Sequence, residues 1–308
     1  MNNSNLINCL SSLVSEEPNP ATLDIDQLST FELVTKINQQ DELVSLAIKR
    51  ILPSLAEAVD LIVEGFQNGG RLIYQGAGTS GRLGVLDAVE CVPTFSVDEG
   101  MVVGVMAGGE AAMFKAKEGI EDQESEGVAD LKRINLTEKD VLVGIAASGR
   151  TPYVKGGLKY ANQIGATTIA LSCNANAEIA KFAKLSLLPI VGPEVLAGST
   201  RLKSGTAQKM ALNILSTASM IRIGKSYKNL MVDLRATNEK LVARGTRMIM
   251  QVTGVELSVA EEALALADNQ VKLALVMILK EVTAEEAKVL LSDADGFLAK
   301  VLSNPNSG

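Results

Sequence analysis

A doubly wound α/β domain with a five-stranded parallel sheet, followed by a small three-helix bundle, is the architecture that this 308-residue chain predicts. Three observations carry it. Between residues 71 and 190, short apolar runs alternate with stretches of helical periodicity, as in a parallel sheet covered on both faces. Two of those runs end in loops rich in glycine and hydroxyls, Gly76–Gly81 and Ser148–Pro152. After about Gln251 the strand-like runs stop and short helical segments take over.

The first forty residues are polar and hold a Pro-Asn-Pro turn at Pro18–Pro20. From Glu42 to Phe66, Leu43, Ala47, Ile51, Leu55, Val59, Ile62 and Phe66 recur at helical spacing. Pro53 should kink or split that helix, and Asn68-Gly69-Gly70 ends it. Strands are then expected at Arg71–Gln75, Met101–Met106, Asp140–Ala146, Thr167–Ser172 and Leu185–Ile190. Helices are expected through Leu83, Leu86 and Val89, over Ala111–Gly119, around Lys155–Gln163 and near Ala177–Ala183. The segment 192–206 opens a long helix through Asn213 and Ile221. In the tail, Ser258–Glu261 and Thr283–Glu286 fit the capping-box pattern, and Val271–Leu279 reads as the buried middle helix. The boundaries drawn are an N-terminal helical segment 1–50, the sheet domain 51–248 and the bundle 249–303.

Composition narrows the chemistry. Lys+Arg 29 against Asp+Glu 36 gives a net charge of −7, which disfavours a nucleic acid or an acidic membrane surface as partner. The chain has no His, so nucleophile systems built on His are excluded, and proton transfer falls to Glu, Asp, Lys or Tyr. Cys9, Cys91 and Cys173 are odd in number and far apart, which reads as buried thiols in a reducing compartment. No basic residue precedes Lys36, and the longest clean apolar run, Leu273–Leu279, is too short to span a bilayer. A cytoplasmic protein is expected.

Gly76-x-Gly78-x-x-Gly81 matches a dinucleotide fingerprint, but the acidic residue expected at the end of the next strand is missing. Thr79 and Ser80 instead stand where a helix N-terminus leaves N–H groups unpaired and its dipole is positive. Ser148, Gly149, Arg150 and Thr151 repeat that arrangement one unit later. Helix capping explains either loop alone; two at one sheet edge favour a sugar phosphate. Glu194, Ser199, Thr200 and Lys203 crowd a carboxylate, hydroxyls and an ammonium into a third segment.

GAGTSGR (76–82), SGRTPYV (148–154) and GPEVLAGSTRLKSGTAQK (192–209) resemble the sugar isomerase domain, a flavodoxin-like fold. The last of them resembles the signature shared by N-acetylmuramic acid 6-phosphate etherases and the vertebrate glucokinase regulatory protein. LDAVECVPTF (86–95), EGIEDQE (118–124) and NLMVDLRATNEKL (229–241) extend the resemblance essentially end to end, with a tail similar to a ubiquitin-associated bundle. The resemblance to the etherases implies hydrolysis of the lactyl ether of a phosphorylated amino sugar, without metal or organic cofactor, by a homodimer. It implies Glu90 as the acid assisting lactate departure and Glu121 as the base at C2. It places Thr79, Ser80, Ser148, Gly149, Arg150 and Thr151 on phosphate and sugar hydroxyls, completed by Glu194, Ser199 and Lys203. Two alternatives share the fold: an aldose-ketose phosphosugar isomerase and a non-catalytic phosphosugar-binding regulator. Beside Cys91, Val92 and Pro93, partial desolvation of Glu90 would favour its neutral form.

Overall fold

The computed structural model describes residues 14–115, 117, 119–234 and 239–303. Cys9, Glu118 and the stretch 235–238 of the NLMVDLRATNEKL motif lie outside them. The chain forms two compact units, one of residues up to Val89 with Gly100–Ser216, the other of Glu90–Glu99 with the chain from Thr217 onwards.

The first unit is the predicted sheet. Helix α1 (Thr30–Arg50) opens with a capping box, in which Glu32 Oε2 accepts the Ser29 N–H at 2.9 Å and Ser29 Oγ accepts the Glu32 N–H. It starts twelve residues before the expected Glu42, because its first half is exposed and lacks a clear apolar stripe. Helix α2 (Leu52–Gln67) follows after Ile51, and Pro53 sits in its first turn, where a missing N–H costs nothing. The strands are β1 (Leu72–Gly76), β2 (Val102–Met106), β3 (Val141–Ile145), β4 (Thr167–Leu171) and β5 (Leu185–Leu187), all parallel in the order β2-β1-β3-β4-β5. Strand β5 stops short of the expected Ile190, since Pro189 has no N–H to give the ladder.

Helix α3 (Gly78–Phe95) follows β1, and the short α4 (Ala111–Phe114) follows β2. The helix expected to Gly119 ends at Phe114, where Lys115 turns extended. Helix α5 (Glu124–Arg133), absent from the sequence expectation, precedes β3; α6 (Pro152–Ile164) follows it. The helix expected near Ala177–Ala183 is one 3-10 segment, Glu178–Phe182.

Alternation along β1 sorts the helices. Leu72 and Tyr74 share a face with Val141, and a Cβ on Gly65 of α2 or Gly84 of α3 would touch Val141 and Tyr74 respectively. Ile73 and Leu142 face the other way and join Leu131, Tyr153, Val154 and Leu158 of α5 and α6 in one fully buried cluster. There α5 and α6 meet backbone to backbone: a Cβ on Gly127 would stand 1.9 Å from Tyr153 O, and one on Gly156 2.2 Å from Glu124 O.

At the opposite end of the strands, Asp140 ties β1 to β3. It accepts from Arg71 Nε at 3.1 Å, Arg71 Nη2 at 2.8 Å and the N–H groups of Arg71 and Thr137 at 2.8 Å each. Burial acts against the charged form, but Arg71 and the N–H donors together hold the carboxyl below its ordinary 3.8. A folded-state pKa that is lowered contributes stability above the unfolded value, and that stability is lost as pH falls through the folded one. Asp140→Asn should therefore cost about 2 kcal/mol at pH 7 in urea titrations. The gap from the parent should close below pH 3.8; a gap independent of pH would contradict this.

Among the described residues the second unit holds helix α8 (Glu239–Thr253), α9 (Leu257–Leu266), α10 (Val271–Lys280), α11 (Ala284–Asp293) and α12 (Leu298–Ser303), one helix more after Gln251 than the three expected. (Helix α7, Lys203–Arg222, crosses from the first unit.) As expected, α10 is central, with Val271–Val276 buried. Thr283 and Glu286 form their capping box, whereas Ser258 falls inside α9, whose N-cap is Glu256. Lys272, within the apolar run, is buried and donates to Asp233 Oδ2 at 2.6 Å, Gly224 O at 2.8 Å and Gly296 O at 3.0 Å.

Candidate active site

Strands β1 and β3 are neighbours, with Gly76 paired to Ile145, while the chain leaves β1 for β2 on the other side. That is the topological switch point of a doubly wound sheet, where ligands bind beyond the carboxyl ends of the strands. The two hydroxyl loops flagged in the sequence follow these two strands and so stand side by side.

In the first loop, Thr79 and Ser80 occupy the opening turn of α3. Gly81 closes onto Ala77 O at 3.2 Å, and Arg82 reaches Ala112 O and Met113 O at 2.7 and 3.0 Å. In the second, Ser148 Oγ accepts the Arg150 N–H at 3.3 Å. Gly149 has φ +72°, and a Cβ there would come within 2.4 Å of Ala177 Cβ, so only glycine fits. Thr151 is the N-cap of α6, but its hydroxyl makes no capping bond. Pro152 has no N–H, and the Tyr153 N–H donates to Glu121 O at 3.0 Å.

That last bond places Glu121. Its backbone is fastened to the first turn of α6, next to the Ser148–Thr151 loop, and its side chain is exposed. Glu121 thus belongs to the same edge of the first unit as the hydroxyls. Glu90 lies on α3 within the second unit and is exposed, as are Val89 and Val92, while Cys91 turns inward. The Glu90 side chain is exposed in the single chain rather than shielded, because Val92 and Pro93 beside it face outward.

The third segment is locked from inside. Glu194 is fully buried, and its two oxygens accept the N–H groups of Lys203 and Ser204 at 2.9 Å each, capping α7. Lys203 is 1% exposed and donates to Gln40 Oε1 at 3.0 Å; burial pulls its pKa down, with Glu194 and Asp41 acting against it. Asn19 donates to the same Gln40 oxygen and to Pro193 O. Both charged groups thus serve α7 and its loop in this chain, whereas Ser199 is partly exposed.

Residues outside the sequence reading tie the loops together. Asn174, after β4, donates to Ser148 O at 3.2 Å, and Cys173 Sγ donates to Ser204 O at 3.6 Å. Burial pushes the Cys173 thiol up to about 12, which keeps it protonated. Ser80 Oγ and Gln208 Oε1 are 3.0 Å apart, and Thr79 Cγ2 would lie 3.5 Å from a Cβ on Gly205. The openings of α3, α6 and α7 therefore form one cluster. Asn174 was findable, since it ends a strand at the same edge; Gln208 carries no such signal.

A parallel sheet whose switch point gathers hydroxyls at several helix starts defines a sugar isomerase domain protein. Residues 54–162 match the glucokinase regulatory protein N-terminal SIS domain, and residues 123–218 match the SIS domain. The chain is 60% identical to the N-acetylmuramic acid 6-phosphate etherase of Vibrio atlanticus over 304 residues, 99% of each chain. It is 58% identical to that of Brucella anthropi over 298 residues, 97% of each. It belongs to the N-acetylmuramic acid 6-phosphate etherase family. Over 63% of its length it superposes on 91% of a Bacteroides fragilis protein involved in capsule formation, at TM-score 0.50 and 24% identity, which shows the fold. Among the described residues, no helix is long and apolar enough to cross a membrane.

Proposed function

We propose that this protein cleaves the D-lactyl ether of N-acetylmuramic acid 6-phosphate, giving N-acetylglucosamine 6-phosphate and D-lactate. The observation that carries the reading is the 60% identity over 99% of the chain to an etherase of that name. The clustered hydroxyls of Thr79, Ser80, Ser148 and Thr151 support it, since a phosphate monoester presents three acceptor oxygens to such donors. In this reading Ser199, Gly149 and Arg150 complete the substrate contacts, and buried Glu194 caps α7, whose first residue is Lys203.

The reaction proceeds as an elimination followed by a hydration, a lyase mechanism. In the ring-opened sugar the C1 aldehyde acidifies the C2 proton. Glu121 takes that proton, the C2–H electron pair becomes the C2=C3 bond, and the C3–O bond breaks. Glu90 protonates the departing lactate oxygen. Water then adds at C3, losing a proton to Glu90, and C2 regains one from Glu121. Two carboxylates suffice, in keeping with a chain that has no histidine. The working form is a homodimer in the cytoplasm, where the buried thiols of Cys91 and Cys173, in no disulfide, fit a reducing milieu.

Incubation with the lactyl sugar phosphate and assay of D-lactate tests the reading. Lactate should accumulate in step with N-acetylglucosamine 6-phosphate. Interconversion of an aldose and a ketose phosphate with no lactate above a protein-free blank would favour the isomerase alternative and reject this one.

A further inference from the structure

We propose that Gln208 is a positioning residue that makes the Ser80 hydroxyl a phosphate donor, an inference that rests on the phosphosugar reading above. Ser80 is the third residue of α3, where N–H groups lack intrahelical partners and the dipole is positive. Gln208 stands in the second turn of α7 with no exposed surface. One atom of its amide lies 3.0 Å from Ser80 Oγ; the other is enclosed with no partner.

The two ways of seating that amide differ in chemistry. With the oxygen towards Ser80, the hydroxyl donates its hydrogen bond to Gln208, and both amide N–H bonds are buried unpaired. Ser80 then has only lone pairs to offer an anion. Turning the amide over exchanges oxygen and nitrogen and leaves all other atoms in place. One N–H now donates to Ser80 Oγ, so a single N–H and the oxygen are left unpaired where two N–H groups were before, and an enclosed carbonyl is a less costly orphan than an N–H. Ser80 is left holding its own proton at the positive end of α3, where a phosphate oxygen accepts it. The glutamine thus sets the polarity of the hydroxyl without touching the ligand.

Calorimetric titration of inorganic phosphate into the full chain, Gln208→Met, Ser80→Ala and the double variant tests this. Met keeps the volume and removes the donor. Each single variant should weaken phosphate about tenfold or more. The double should bind no worse than Ser80→Ala alone, because Gln208 acts through Ser80. In turnover, Gln208→Met should raise KM more than it lowers kcat. Parent-like phosphate affinity in Gln208→Met, losses that multiply in the double, or a parent that binds no phosphate would each overturn the proposal. Should Gln208→Met not fold, Gln208→Leu removes the donor at similar volume, and unchanged phosphate binding there overturns it equally. A parent that binds phosphate but releases no lactate rejects the etherase reading and leaves this proposal standing.

Discussion

Glu121→Gln is expected to lower lactate release by about 10²–10⁴-fold, the usual contribution of a placed general base. Affinity for inorganic phosphate should stay close to that of the parent, because a carboxylate offers an anion no hydrogen-bond donor. Glu90→Gln should cause a loss of similar size, since lactate is a poor leaving group without a proton. The two differ in a second readout. In heavy water, Glu90→Gln should still exchange the C2 proton of the substrate, whereas Glu121→Gln should lose exchange and release together. The reverse pattern would swap the roles of acid and base. Undiminished release in both variants would remove the pair from the mechanism altogether.

Lys272→Met should give the largest loss of stability, about 3–5 kcal/mol, as when one partner of a buried ion pair is removed. Three acceptors, Asp233 Oδ2, Gly224 O and Gly296 O, converge on this one ammonium. Burial pulls the Lys272 pKa down, and Asp233 opposes that shift, so the pair is worth keeping only together. Methionine fills the space but leaves two carbonyls without their donor and Asp233 with only the more distant Lys225, 3.9 Å away. Pairing it with Asp233→Asn should recover part of the loss. A thermal melt of Lys272→Met unchanged from the parent would show that the ammonium is dispensable to the second unit.

The sheet was legible because parallel strands are buried on both faces and read as plain apolar runs. Val141–Ile145 is buried at every position. Helix α5 escaped because only Gly127, Asp130 and Leu131 of its ten residues are buried, so the stretch reads as a solvated acidic run. Its contact with α6 runs through glycine backbone, which leaves no apolar signature. Of the site, the hydroxyl loops were legible from glycine spacing and strand order. Glu90 and Glu121 were not, since an exposed glutamate carries no local mark, and only the resemblance singled them out. Lys272, Asp87 and Gln208 were hidden for the opposite reason. Pattern reading assigns polar side chains to solvent, yet Asp87 is buried and accepts from Tyr74, Asn213 and Ser216.

The seam between α5 and α6 has a bearing on how such an enzyme can diverge. With Gly127 against Tyr153 O and Gly156 against Glu124 O, the gap there is one main chain thick. Glu121 precedes one of these helices and the Ser148–Thr151 loop precedes the other. Their spacing is therefore set by main chain, and even a methyl group at either glycine would force it open. A descendant adapted to a longer or shorter sugar acid would have to remodel its rim and leave this hinge-free joint untouched.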